Sequence, residues 1–399
     1  MDALGRALPD AGGRAVRRTG RGHRGRNRRD DRALDDRRHL GWAIHRQALP
    51  ASGGIRTAQC EHPQDRRIRA AGSDRALDPD LPPHPGEFAA VTLLELIEAQ
   101  AARLSEAGVS FGHGTTNAFD EAAWLALWAL DLPLDALDEH ETEVVDDAGR
   151  ARTEALVAER ITTRKPAAYL TREAWLQGVP FYVDERAIVP RSFIAELLAD
   201  ATIDAWLSDE TSRVLDLCTG NGSLAVLAAM AWPDVAVDAI DLSADALAVA
   251  KINVERHQLA DRVRLLQGDG LKPAQGPYDL ILCNPPYVNS ASMAALPAEY
   301  RAEPELALAG GTDGMDFIRQ LLADAPAQLK PQGVLVLEIG NEREFFEAAF
   351  PQLEVAWLET SSGEDQVLLV TREALVAGGF GSASTHSNDS GASSQGASA

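Results

Sequence analysis

The 399-residue chain reads as an α/β protein built on an open, doubly wound parallel sheet with a small helical domain ahead of it. Three observations predict this. From Val214 to Thr371, apolar strand patterns alternate with helical ones, which implies parallel strands with helices on both faces. The strand Arg213-Val214-Leu215-Asp216-Leu217 passes through Cys218-Thr219-Gly220-Asn221-Gly222 directly into the helical run Ser223–Ala229. Such a strand–turn–helix corner is where these sheets bind nucleotide-like ligands. Finally, Asp216, Asp241, Asp269 and Asn284 fall at the C-terminal edges of successive strands, the edge at which open α/β sheets receive ligands. One such Asp alone reads equally well as a helix cap. Four in register do not.

The elements follow in order. Residues 1–90 lack sustained apolar periodicity, and the first 80 carry 18 Arg, no Lys and 11 acids, a net of +7. This segment reads as a disordered Arg-rich extension, with an RNA-binding arm as the functional alternative. Asp2, Asp10, Asp30 and Asp31 argue against a targeting peptide. Residues 91–165 form a helical domain: Thr92–Leu104 places Leu93, Leu96, Ile97 and Leu104 on one stripe. Asp120–Leu130 and Arg152–Thr162 are two further helices, with Trp124 and Trp128 spaced as core residues. Residues 166–212 are a linker with short strands. The sheet domain occupies 213–375, with strands Val235–Asp241, Val263–Asp269, Tyr278–Cys283, Gly333–Ile339 and Gln366–Thr371 after the first. Residues 376–399 read as a disordered Gly/Ser-rich tail.

The chemistry lies in two turns. The first lacks both Gly-x-Gly-x-x-Gly and the P-loop pattern, which disfavours a dinucleotide and excludes a P-loop. Asp216-x-x-x-Gly220-x-Gly222 instead sets an acid beside bare backbone, where the amino-acid moiety of S-adenosylmethionine can approach without a Cβ in the way. Asp241 is placed to accept from ribose hydroxyls and Asp269 from an adenine amino group. The second turn is Asn284-Pro285-Pro286-Tyr287, after a buried strand. The Asn carboxamide and the Pro285 carbonyl, fixed by proline's locked φ, provide two acceptors for one NH2 group, and the Tyr ring gives a flat wall. Two acceptors holding the hydrogens leave the nitrogen lone pair facing an electrophile, the geometry for nitrogen methylation.

In this order the motifs resemble the class I S-adenosylmethionine-dependent methyltransferases. Asn-Pro-Pro-Tyr resembles their amino-methylating branch, which includes DNA adenine methyltransferases and HemK-type protein glutamine methyltransferases. The flanks resemble the glutamine branch: Pro166–Thr171, Trp175, Gly178, Phe181–Arg186, Val189-Pro190-Arg191-Ser192, Leu296–Arg301 with Glu303-Pro304, and Gly311–Asp316. Within it, Val-Asp-Glu-Arg before Val-Pro-Arg-Ser, and Glu-Tyr-Arg-x-Glu-Pro, resemble the type acting on ribosomal protein L-three (PrmB type). The resemblance covers about Val91 to Leu375. It implies a last strand that runs antiparallel, here Gln366–Thr371, and a substrate-docking role for residues 91–165. It implies that Asp216, Thr219, Gly220, Gly222, Asp241, Asp269, Gly270 and Asn284 bind S-adenosylmethionine. Asn284, Pro285, Pro286 and Tyr287 then hold the glutamine amide. The alternatives are the same reaction on the Gly-Gly-Gln loop of peptide release factors, or a non-catalytic binding module. Arg191, Glu338 and the Glu299–Pro304 segment carry either ligand contacts or structural ion pairs.

Composition bounds the partners. Cys60, Cys218 and Cys283 are too few and too scattered for a disulfide framework or a zinc site, so no metal is expected. No apolar run reaches membrane-spanning length, and a cytoplasmic enzyme is the simplest expectation. Residues 81–399 carry −29, which attracts a basic ribosomal protein before assembly and repels a DNA backbone. The oligomeric state is left open.

Overall fold

The computed structural model describes residues 90–381, so the expectations for the Arg-rich extension and for the tail beyond Gly381 lie outside the described residues. The first helix, α1 (Leu93–Glu106), starts at a capping box in which Thr92 and Glu95 satisfy each other's backbone amides. Its stripe residues Leu93, Leu96, Ile97 and Leu104 are all buried. Helix α2 (Ala118–Ala129) is capped by Asn117, and α3 (Asp147–Thr163) by Asp146, a turn before the start that periodicity suggested. Trp124 enters the core, whereas Trp128 is 41% exposed, so only one of the pair packs as the spacing implied.

Arg160 of α3 is fully buried. Its Nε donates to Glu121 at 2.7 Å, its Nη2 to the Ser110 carbonyl at 2.9 Å, and its Nη1 to Glu299 at 3.5 Å. Glu299 also accepts from Ser110 N–H at 3.1 Å and Arg164 at 3.3 Å. It lies far along the chain, just past the Asn-Pro-Pro-Tyr turn, so these ion pairs fasten the helices to that region.

A hairpin follows, β1 (Ala174–Leu176) against β2 (Val179–Phe181). Its turn residues Gln177 and Gly178 both have positive φ, 51° and 71°, the backbone that two-residue hairpins require. An irregular segment leads to α4 (Ile194–Ala199). The sheet then opens with β3 (Arg213–Leu217), α5 (Ser223–Ala231), β4 (Ala236–Asp241), α6 (Ala244–Arg256), β5 (Val263–Gln267) and β6 (Tyr278–Cys283). It closes with α7 (Asp316–Gln328), β7 (Leu329–Glu338), α8 (Arg343–Ala349), β8 (Ala356–Thr360), β9 (Gly363–Thr371) and α9 (Arg372–Ala377).

The sheet has seven strands in the order β5-β4-β3-β6-β7-β9-β8. The first five pair in parallel, and β9 runs antiparallel to both β7 and β8. Strand β8 was not legible in the sequence: it is a short edge strand in which only Leu358 is buried. The chain past Leu375 also departs from the expectation of a disordered tail. It is helical to Ala377, and Phe380 packs on the core beside Phe350.

Strand alternation divides the core between the two faces of the sheet. Val214, Leu280, Leu282, Val334 and Val336 pack on the α5 face. Leu215, Leu217, Ile281, Leu335 and Leu337 pack on the α7 face. The strand order reverses direction between β3 and β6, so the edge above their C-terminal ends is the crevice in which open sheets hold ligands.

Arg160→Ala is expected to leave Glu121 as a buried carboxylate without its charged partner, while Glu299 keeps Arg164 and the Ser110 N–H. The substitution should cost about 3–5 kcal/mol, measured as a lower urea midpoint.

Candidate active site

At the β3–α5 corner, Cys218, Gly220 and Gly222 all have positive φ, at 61°, 55° and 81°. A Cβ on Gly222 would stand 3.0 Å from the Ala250 side chain and 3.2 Å from its Cα, so this glycine serves the close packing of α6 on the turn. Gly220 has only Ile188 near it, at 3.5 Å. Its N–H donates to Asp241 Oδ2 at 2.8 Å, while Asp241 Oδ1 accepts from Ser243 N–H at 2.9 Å. Each Asp241 oxygen keeps acceptor capacity for a ligand hydroxyl. Burial raises the Asp241 pKa above the usual carboxylate value, against the backbone bonds that favour the charge.

Asp216 is fully buried. One oxygen accepts from the Thr219 hydroxyl and from Ala225 N–H, at 2.9 Å for the latter, and so caps α5. The other has no partner among the described residues. Burial pushes this carboxyl up to about 7.

The Asn-Pro-Pro-Tyr turn leaves β6 and is held by the segment that follows it. Val288 N–H donates to the Leu308 carbonyl and Gly310 N–H to the Val288 carbonyl, both at 2.9 Å. Three glycines make room for the turn. A Cβ on Gly310 would meet the backbone of Pro286 and Tyr287 at 2.8 Å, one on Gly314 the Tyr287 carbonyl at 2.2 Å, and one on Gly340 the Tyr287 ring at 2.5 Å. The Tyr287 hydroxyl faces Glu338 Oε1 at 3.5 Å. The Asn284 carboxamide, partly exposed, makes no hydrogen bond among the described residues.

A single cavity of about 590 Å³ joins the two turns. Thr219, Gly220, Asp241, Asp269, Gly270 and Asn284 through Tyr287 all line it. Asp216 and Gly222 do not: they stand behind its wall, contrary to the expectation that both line the methionine end. Asp269 lies at the rim, where its carboxylate is 61% exposed and pairs with Lys272.

Several lining residues were not picked out from the sequence. Asn221 is almost fully buried; its Oδ1 accepts from Ser223 N–H at 3.2 Å, and its Nδ2 has no partner among the described residues. Its position between two turn glycines was the available signal. The linker supplies another wall from Arg186 to Phe193. Arg191 both lines the cavity and pairs with Glu303, through two bonds of 2.7 and 2.6 Å, and its guanidinium lies 5.3 Å from the Tyr300 ring centroid. Burial works against the Glu303 charge, but Arg191 and His113 outweigh it and hold the carboxyl at about 2. The Glu299–Pro304 segment is therefore an ion-paired hub, from which Tyr300 and Pro304 reach the cavity. Glu338 does not line the cavity; it is buried behind it and pushed up to about 7 by burial.

These features fit S-adenosylmethionine. The cavity has the volume of a small-molecule site. The turn at Gly220 is open to close backbone approach, Asn221 offers a buried unused donor, and Asp241 offers acceptors. A family model for the methyltransferase small domain matches residues 195–299, from α4 through the Asn-Pro-Pro-Tyr turn. The ribosomal protein uL3 glutamine methyltransferase of Bordetella pertussis is 55% identical over 288 residues, covering 71% of this chain and 96% of that protein. Its namesake from Burkholderia pseudomallei is 52% identical over 302 residues, covering 72% and 96%. That of Neisseria meningitidis serogroup B is 48% identical over 287 residues, covering 71% and 94%. With its class I S-adenosylmethionine-dependent methyltransferase fold, the chain belongs to the family of ribosomal protein uL3 glutamine methyltransferases.

Proposed function

We propose that this protein methylates the side-chain amide nitrogen of a glutamine in ribosomal protein uL3. The observation that carries the reading is one cavity bounded by the Gly220–Asp241 corner on one side and by Asn284 and its turn on the other. Bound S-adenosylmethionine supplies an electrophilic methyl on its sulfonium. Asn221, Gly220 and Asp241 hold it, with Thr219, Asp269 and Gly270 beside them, and Asp216 and Gly222 shape the turn from behind.

An amide nitrogen is a poor nucleophile because its lone pair is delocalised into the carbonyl. The Asn284 oxygen and the Pro285 carbonyl accept the two amide hydrogens, orient the nitrogen and stabilise the positive charge that grows on it. An Asn284 carboxamide free of internal partners supports that role, since nothing within the protein must be broken to engage the substrate. Pro286 stiffens the turn and the Tyr287 ring forms its flat wall.

The helices of residues 91–165 dock the protein substrate. The net charge of −29 over residues 81–399 favours a basic ribosomal protein met before assembly, in the cytoplasm, and disfavours DNA. No helix among the described residues is long and apolar enough to cross a membrane.

Methyl-labelled S-adenosylmethionine offered with unassembled uL3, and separately with a release factor, tests the substrate. Label is expected on a uL3 glutamine, and label on the release factor alone would overturn the choice. Asn284→Ala is expected to lower kcat by about 100-fold, the cost of losing one preorganised polar group at the developing charge. Cofactor affinity, read by calorimetry, should be unchanged. Asp216 yields a pH prediction for the cofactor-free protein. Its carboxyl titrates near 3.8 in the unfolded chain and at about 7 when folded. Between those values the unfolded chain has lost a proton that the folded chain keeps, so stability falls as pH rises from about 4 to about 7. Asp216→Asn should flatten that slope in urea midpoints compared at about pH 5 and about pH 8.

A further inference from the structure

Residues 189–193 form a strap between β2 and α4 that belongs to no helix or strand. Buried amides without such partners must find others, and two carboxylates supply them. Glu303 accepts the Val189 N–H at 3.0 Å and both terminal nitrogens of Arg191. Glu338 accepts the Ser192 hydroxyl at 2.6 Å and the Phe193 N–H at 2.9 Å through Oε2. The other oxygen of Glu338 faces the Tyr287 hydroxyl at 3.5 Å. Glu338 is 2% exposed.

Burying a carboxylate is costly, and an apolar contact would hold a merely structural loop at less expense. What sets Glu338 apart is what it joins. Ser192 and Phe193 line the cavity from the strap, and Tyr287 lines it from the Asn-Pro-Pro-Tyr turn. Glu338 itself ends β7 next to Leu337, which pairs with Cys283, the residue before Asn284. It therefore stands behind both walls, at the end of a strand paired on both sides.

We propose that Glu338 is a positioning residue for methyl transfer: by holding Ser192, Phe193 and Tyr287 together, it sets the gap between strap and turn in which the glutamine carboxamide lies. The proposal rests on the function proposed above. Glu338 acts through its neighbours. The gap matters because a displacement of about 1 Å in a reacting pair can cost about 100-fold in rate.

The test uses the full chain, unassembled uL3 and S-adenosylmethionine. Glu338→Gln keeps the volume but replaces one acceptor oxygen by a donor. We expect kcat to fall by about tenfold or more, with the Kd for S-adenosylmethionine unchanged by calorimetry. Combining it with Tyr287→Phe or Ser192→Ala should cost less than the product of the single effects, because all three act on one gap. Unchanged kcat in Glu338→Gln, strictly multiplicative effects, or a loss of cofactor affinity matching the loss of kcat would overturn the proposal. If Glu338→Gln does not fold, Ser192→Ala and Tyr287→Phe carry the test, since each removes one donor and leaves the carboxylate in place. A reduced kcat with intact cofactor affinity in both supports the proposal, and unchanged kcat in both overturns it. Failure of the functional reading would appear in the wild type as no transfer to uL3, whereas failure of this proposal appears only in the variants.

Discussion

Leu217 and Cys283 face each other across the parallel pair β3–β6, and the site depends on that register. Each is the last residue of its strand, so the chain leaves the sheet at both places on the same edge, side by side. One exit becomes the Cys218–Gly222 turn and the other the Asn-Pro-Pro-Tyr turn. Because the strand order reverses between them, α5 and α7 pack on opposite faces, and a crevice opens between the two exits. Under the function proposed above, pairing in the sheet is what brings the cofactor and the amide together.

Around that edge the protein uses buried and half-buried carboxylates where secondary structure gives out. Asp216 caps α5 from beneath, Asp241 ties β4 to Gly220, Glu338 ties β7 to the strap, and Glu303 ties the strap to the loop after the Asn-Pro-Pro-Tyr turn. Their electrostatics differ with their partners. Glu303 faces a bidentate arginine and stays ionised, while Asp216 and Glu338 receive only neutral donors directly and are raised to about 7 by burial. Glu299 extends the same device to the helical region through Arg160 and Arg164. The helices expected to receive the protein substrate are therefore attached by ion pairs to the segment beside the Asn-Pro-Pro-Tyr turn.

Much of this was legible in the sequence. The α1 stripe, the strands Arg213–Leu217 and Tyr278–Cys283 and the last strand, ending at Thr371, all follow from apolar periodicity, which reports burial directly, while the antiparallel direction of that last strand came from the family resemblance. The surroundings of Asp216, Gly222 and Asp269 were not. Asp216 is one residue from the strand end, and strand alternation turns it toward the α5 face with Val214 rather than out at the edge. Gly222 answers to α6, a helix more than twenty residues on. Asp269 lies past the end of β5, where the chain is free to pair it with Lys272.

The fold class, the two turns and the chemistry they suit are written locally along the chain, because backbone permissiveness, locked proline φ and side-chain donor sets are local properties of the residues. Folding alone sets which acids meet the cavity and which stand behind it, and brings Glu303 and Glu338 onto the same strap from over a hundred residues away. The physical reason is that burial and hydrogen-bond partnership are relations between distant segments. No spacing along the chain encodes which lone pair a folded neighbour will occupy.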